Sequence, residues 1–405
     1  MTQTMIRTAD VIATEAQHVL QVYRRSQVVF ERGSGSYLYA QDGRRYLDLI
    51  SGVGVASLGH ANPKLASAIT RQAAEVLHVS NLFFHPLQAE VASKLSALSG
   101  LERTFFCNSG TEAVEACLKF ARRYWHAMGT PRPRIVAFEH AFHGRTMGSL
   151  SVTWDDHYRA PFAPLLADVV WVPVGDPAAL RAAVNEQTAA VIVEPIQGEG
   201  GVRPLSQEMA DAIAERCRQT GALLIADEVQ CGLGRTGRPF YSEALGLRPD
   251  LMALGKSLGG GVPIGAAMFS ANVGSKAAFG DHGSTYGGNL LACRAALVFL
   301  GELVDGGLMQ HVADIGPHAQ RTLTAMASRH AAVKDVRGAG LMWGIEIDRP
   351  AAAVVQAALD RGLLINRTSD TVIRLLPAYT ITAQEFDAGI AILEEALASI
   401  TEGAQ

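Results

Sequence analysis

A chain of 405 residues is longer than one ordinary core supports, so two packed domains, or a large one with a smaller annex, are expected. Apolar residues make up 48% and charged ones 18%, with a net charge of -4, which suits an α/β protein and gives no electrostatic reason to bind nucleic acid or an acidic membrane surface. No segment approaches the roughly 20 apolar residues of a membrane span, and residues 1–10 lack the apolar stretch of a signal peptide, so a cytoplasmic location is expected. The five cysteines, Cys107, Cys117, Cys217, Cys231 and Cys293, never fall at zinc or redox spacing; reduced, mostly buried thiols and no metal site are expected.

In chain order, a first helix is predicted over about 11–23. Residues 37–49 read as two short strands around an Asp42-Gly43 turn, an antiparallel hairpin. Between about 63 and 300, short apolar runs at 104–107, 135–138, 169–172, 190–193, 223–226, 251–254 and 266–269 alternate with helical segments. Such runs suit strands buried on both faces of a mainly parallel sheet flanked by helices. From about 301 the style is mixed, with strands near 341–347 and 371–376 and a closing helix near 384–399. The expected division is a large domain over 63–300 and a smaller α+β domain made from 1–62 and 301–405.

Ligands of a parallel α/β sheet sit at the carboxyl ends of its strands, so the residues after each apolar run carry the chemistry. After 104–107 comes Asn108-Ser-Gly-Thr-Glu112 and a helix from Ala113 to about His126. Such a turn exposes free backbone N–H groups before a helix dipole, which is a phosphate cradle. After 223–226 comes Asp227, a carboxylate able to keep a pyridine nitrogen protonated. After 251–254 comes Gly255-Lys256, a lysine able to form a Schiff base with an aldehyde once its pKa is lowered. Singly these are an ordinary N-cap, a solvated acidic strand end and a surface lysine. Together they are the three fixed contacts that pyridoxal 5'-phosphate (PLP) requires.

Gly232-Leu-Gly-Arg-Thr-Gly237 also fits the G-x-G-x-x-G pattern of dinucleotide sites. Its context is wrong: Asp227 to Cys231 separate it from the strand, Pro239 stands where a helix should begin, and Asp250 precedes its strand instead of ending it.

Eight ordered motifs then carry a resemblance over most of the chain: Phe106-Cys-Asn-Ser-Gly-Thr-Glu-Ala, Phe142-His-Gly-Arg-Thr, Val193-Glu-Pro-Ile-Gln-Gly-Glu-Gly-Gly, Asp227-Glu-Val-Gln, Gly234-Arg-Thr-Gly, Gly255-Lys-Ser-Leu-Gly-Gly-Gly, His282-Gly-Ser-Thr-Tyr-Gly-Gly-Asn and Arg374-Leu-Leu-Pro. The sequence resembles the class III, fold-type I aminotransferases, specifically their acetylornithine and ornithine branch. The resemblance implies that Ser109, Gly110 and Thr111 bind the cofactor phosphate, Phe142 stacks on the pyridine ring, Asp227 pairs with its nitrogen, Gln230 lies near its hydroxyl oxygen and Lys256 is the Schiff-base lysine. It further implies a homodimer in which Ser284 and Thr285 reach the neighbouring subunit's substrate and phosphate.

By the same resemblance Arg145 takes a distal carboxylate, Arg374 the α-carboxylate of glutamate, and Glu199 gates Arg374 so that one site accepts two unlike substrates. The implied reaction moves the terminal amine of N-acetylornithine to 2-oxoglutarate. Ornithine, succinylornithine, 4-aminobutyrate, a diamine or N-acetyl-lysine are alternative donors, and a PLP aminomutase or decarboxylase is a different use of the scaffold. Val53 stands where ornithine enzymes of the family carry a tyrosine and acetylornithine enzymes an aliphatic residue; Cys231 stands where the family more often has threonine.

Overall fold

The computed structural model describes residues 7–402, and all seven apolar runs between 104 and 269 are strands of one sheet. The N-terminal segment supplies β1 (Phe30–Ser34), β2 (Tyr37–Ala40) and β3 (Arg45–Asp48), paired antiparallel in sequence order. At the expected Asp42-Gly43 turn, Asp42 Oδ1 accepts the Arg44 N–H at 2.9 Å and Gly43 takes a positive φ of 85°. The hairpin is therefore as expected, with β1 as an added edge.

The middle of the chain supplies β4 (Arg103–Cys107), β5 (Arg134–Phe138), β6 (Val169–Val172), β7 (Thr188–Val193), a two-residue pair β8 (Ile196–Gln197) and β9 (Arg203–Pro204), then β10 (Leu223–Asp227), β11 (Leu251–Leu254) and β12 (Gly265–Phe269). The large sheet runs β4-β12-β11-β10-β7-β5-β6. Only β12 opposes its neighbours β11 and β4; the other pairings are parallel. β7, β10, β11 and β12 are buried along their full lengths, which is why they read as unbroken apolar runs.

The period of two shows in what each face meets. Ile135, Ala137, Ile192, Ile225 and Ala253 pack against Val114, Cys117 and Ala121 of the helix Gly110–Ala127. Val136, Phe138, Val191, Val193 and Leu224 pack on the opposite face against Met209 and Ile213 of the helix Gln207–Thr220.

The C-terminal segment supplies β13 (Val333–Ala339), β14 (Met342–Ile347), β15 (Leu363–Leu364), β16 (Asn366–Arg367) and β17 (Val372–Leu375), then a closing helix Ala383–Glu402. The order β13-β14-β17-β16 makes an antiparallel sheet, whereas β15 joins β3 in parallel, so the two ends of the chain share a sheet.

Two boundaries differ from expectation. The first helix is Thr8–His18, not 11–23, because beyond it Val19, Leu20, Val22 and Tyr23 find no packing and lie exposed. The helix after β4 starts at Gly110, three residues before the expected Ala113, because Ser109 caps it. All five cysteines are free and buried. Among the described residues no helix is long and apolar enough to cross a membrane, and no group of three metal-binding side chains occurs.

Candidate active site

Ser109 is extended (φ -156°) and its Oγ accepts the Glu112 N–H at 3.3 Å, while Glu112 Oε2 accepts the Asn108 N–H at 2.5 Å. This reciprocal capping leaves the first helical N–H groups, those of Gly110 and Thr111, without intrahelical acceptors at the positive end of an 18-residue helix. Only glycine fits at 110, since a Cβ there would lie 2.6 Å from Val229 Cγ1. A Cβ on Gly255 would lie 3.0 Å from Gly110 Cα, so the anion-binding turn and the strand end preceding Lys256 touch backbone to backbone. Thr111 Oγ1 meets Ser149 Oγ at 2.6 Å and Thr146 Oγ1 at 3.0 Å and accepts the Arg145 N–H at 3.2 Å, which locks the 142–146 loop to the turn.

Asp227 is the last residue of β10 and is 4% exposed. Its Oδ2 accepts Nδ1–H of His143 at 2.7 Å and its Oδ1 accepts the Val229 N–H at 3.1 Å. Lys256 follows β11 and has a left-handed φ of 38°, a strained conformation for a residue with a Cβ. Ser257 holds that turn, its Oγ reaching Gly54 O at 3.2 Å and Tyr379 Oη at 3.0 Å. Burial pushes the Lys256 ammonium below the ordinary lysine pKa and Arg374 adds to the shift, against opposition from Glu199, Asp227 and Glu194.

Arg374 on β17 is 1% exposed, and its Nη1 lies 2.5 Å from Oε1 of Glu199, which stands between β8 and β9 and is 33% exposed. Gln230 completes the cluster: its Oε1 accepts from Arg374 Nη1 at 3.1 Å and its Nε2 donates to Glu199 Oε1 at 3.4 Å. Burial works against the Glu199 carboxylate, yet Arg374, Lys256 and the donated hydrogen bonds together hold it below its usual pKa. Val53, at φ 64°, packs beside Ile196, Val202, Cys231, Met342 and Leu376, an apolar cluster that brackets the Glu199 segment and abuts the Arg374 strand. Cys231 itself is bonded to Glu228, its Sγ 3.0 Å from Oε2.

The remaining expected residues divide. Phe142 is half-buried and meets the Tyr158 ring edge-on, with ring centroids 6.5 Å apart. Arg145 is exposed, lies 3.6 Å over the Tyr158 ring, and has no carboxylate partner among the described residues. Ser284 Oγ accepts the Gly287 N–H at 2.9 Å and meets Asn108 Nδ2 at 3.4 Å, beside the anion-binding turn, while Thr285 is exposed.

Two residues in motifs already quoted turn out to matter without a role having been read for them. His143 is the partner of Asp227. Glu194 follows β7 and is buried at 6% exposure, with Oε1 accepting the Phe142 N–H at 2.9 Å and Oε2 the Gly198 N–H at 3.0 Å. Burial raises its pKa to about 7, with Asp227 adding to the rise and His143 and the two N–H donors opposing it. The signal in each case was a polar residue directly beside an expected contact, Phe142 or the end of β7.

The glycine turn, where a Cβ at 110 would collide with Val229, and the buried Asp227 suit the two polar ends of PLP, with a lysine of lowered pKa for its aldehyde. That fit, on this sheet order, places the chain among the fold-type I PLP enzymes. A description of the class-III aminotransferases matches residues 20–397. The acetylornithine aminotransferase of Archaeoglobus fulgidus is 45% identical over 384 residues, covering 95% of this chain and 99% of that protein. The same-named enzyme of Aquifex aeolicus is 43% identical over 381 residues, covering 94% and 100%. Among solved structures, the ornithine aminotransferase of Toxoplasma gondii superposes with a TM-score of 0.94 at 30% identity, covering 99% of this chain and 97% of that one. The chain belongs to the class-III aminotransferase family, and it is a PLP-dependent transaminase.

Proposed function

We propose that this transaminase moves the terminal amine of N-acetylornithine to 2-oxoglutarate, giving N-acetylglutamate semialdehyde and glutamate. The observation that carries this reading is the Arg374–Glu199 pair. A donor reacting through a terminal amine brings no carboxylate to Arg374, and Glu199 already neutralises that guanidinium. Glutamate brings an α-carboxylate, and Glu199 must then leave. The buried guanidinium is fixed by Gln230 and Asn366, whereas the part-exposed carboxylate has room to swing. Arg145, exposed on the Tyr158 ring and without a carboxylate partner among the described residues, takes the far carboxylate of either substrate.

PLP, when bound, supplies an aldehyde to accept the amine and a protonated pyridine ring to hold the electrons released. The N–H groups of Gly110 and Thr111 with the Thr111 and Ser109 hydroxyls would hold its phosphate, and Phe142 would cover its ring. Asp227, steadied by His143, would keep the ring nitrogen protonated, and Gln230 would face the ring hydroxyl. Lys256 Nζ, deprotonated at a lower pH than an exposed lysine, moves a proton at the substrate carbon. The apolar cluster around Val53 suits an acylated nitrogen better than a free ammonium, and the names of the relatives at 43–45% identity support the same donor.

The working unit in this reading is a homodimer in which Ser284 and Thr285 serve the partner's site. It is supported by the exposure of Thr285 and of the large apolar side chains Leu82, Phe83, Phe84, Phe279 and Tyr286 in the same stretches of chain. The division into 63–300 and 1–62 with 301–405 is proposed likewise, supported by the β3–β15 pairing; the helix Leu290–Val304 runs across its second boundary. The five unpaired thiols suit a reducing, cytoplasmic compartment.

The test is a panel of amine donors with 2-oxoglutarate as acceptor. N-acetylornithine is expected to give the highest kcat/KM; a higher value for ornithine or 4-aminobutyrate would overturn the assignment.

A further inference from the structure

Two segments that carry substrate contacts in the reading above, the loop bearing Phe142 and Arg145 and the hairpin bearing Glu199, come from different stretches of chain. The Glu194 side chain bonds the main chain of both. Oε1 of Glu194 accepts the Phe142 N–H at 2.9 Å and Oε2 accepts the Gly198 N–H at 3.0 Å. Glu194 sits directly after β7, so its own backbone is fixed by the centre of the large sheet.

We infer that Glu194 is a positioning residue: its carboxylate fixes the main chain of Gly198 against that of Phe142 and so sets where Glu199 stands relative to Arg374. This rests on the Arg374–Glu199 gate proposed above.

The near arm is held before Gly198 by Gln197, whose Nε2 donates to Glu139 O at 2.8 Å, and by the β8–β9 pairing, while the Gly198 N–H itself is held by Glu194. Gly198 is pressed against the Gln230 amide so closely that a Cβ would fall 2.3 Å from Gln230 Oε1, and Gln230 in turn bonds both Glu199 and Arg374. A shift of Gly198 therefore disturbs all three members of the cluster. The far arm is held independently, by Arg203 Nε donating to Gly200 O and Arg337 Nε donating to Gly201 O, each at 2.9 Å. With both arms pinned, the gate works by rotation of the Glu199 side chain on a fixed backbone. Freeing the near arm alone lets Glu199 drift from Arg374, which leaves that guanidinium unneutralised when a terminal-amine donor binds. The same drift costs glutamate nothing, because Glu199 must leave for it in any case.

The test uses Glu194→Gln, which keeps the shape but turns one acceptor into a donor facing a backbone N–H. Glu194→Asp, which keeps the charge and is too short to reach both N–H groups, is read beside it in case the first variant folds poorly. In the cofactor-free protein, deuterium uptake should rise in residues 140–146 and 195–199, with 201–204 unchanged. In the holoenzyme, the ratio of kcat/KM for N-acetylornithine to that for glutamate, from separate half-reactions, should fall about tenfold, the scale of one hydrogen bond to a charged group. Glu199→Ala is run in parallel. If Glu199→Ala leaves the ratio unchanged, the gate itself is refuted. If Glu199→Ala lowers the ratio and the Glu194 variants do not, or lower both half-reactions equally, the role inferred for Glu194 is overturned.

Discussion

Asp227 Oδ2 lies 2.7 Å from Nδ1 of His143, a residue 84 positions earlier in the chain, and the imidazole is itself buried. The hydrogen bond holds the carboxylate in one orientation, as an acceptor facing the site.

Replacing that charge with a neutral group of the same shape separates binding from turnover. Asp227→Asn should retain the cofactor, since the phosphate turn at Gly110 and Thr111 is untouched, yet lower kcat by about 10²–10³-fold, the usual scale for losing one preorganised electrostatic partner. Cofactor content by absorbance and kcat by steady-state assay check the two halves of the expectation.

Arg374→Ala acts on one half-reaction more than the other. Losing the guanidinium removes the contact for the glutamate α-carboxylate, a loss of about 2–5 kcal/mol for a desolvated charge pair, while a terminal-amine donor makes no such contact. Single-turnover rates for glutamate and for N-acetylornithine should diverge; equal losses would contradict the gate.

The lowered pKa of Lys256 has a pH consequence of definite sign. As pH falls through that lowered value the amine protonates and stops capturing aldehyde, so PLP uptake by the cofactor-free protein should titrate below the free-lysine value of about 10.4. Glu199 raises the Lys256 pKa, so Glu199→Gln should move the midpoint of uptake rate to lower pH. Between the native value and about 10.4 the unfolded chain binds the extra proton, so stability attributable to this group rises with pH across that window.

Phe84 and Phe279 are fully exposed in the single chain. If they lie in a subunit interface, Phe84→Asp with Phe279→Asp should convert the dimer to monomers in sedimentation and abolish activity together, because Ser284 and Thr285 then serve no site. A monomer with full activity would contradict the shared site.

Much of this was legible in the sequence because buried strands and glycine turns leave strong local patterns. The seven apolar runs became strands within one or two residues, and Asp227 and Lys256 stand at strand ends as expected. The reversed direction of β12 was not legible, since a run buried on both faces reads alike either way. β1 and β13 were missed because Glu31, Arg32, Lys334 and Asp335 interrupt the apolar pattern at exposed positions. The His143–Asp227 bond and the Glu194 tether join residues 84 and 52 positions apart, and no local spacing encodes such contacts. The roles of Arg145, Ser284 and Thr285 came from resemblance alone.

The most direct measurement is borohydride reduction of the PLP-loaded protein followed by peptide mapping. The cofactor should be fixed irreversibly to Lys256, and Lys256→Ala should show neither labelling nor turnover. Label on another residue, or full turnover in Lys256→Ala, would contradict the site.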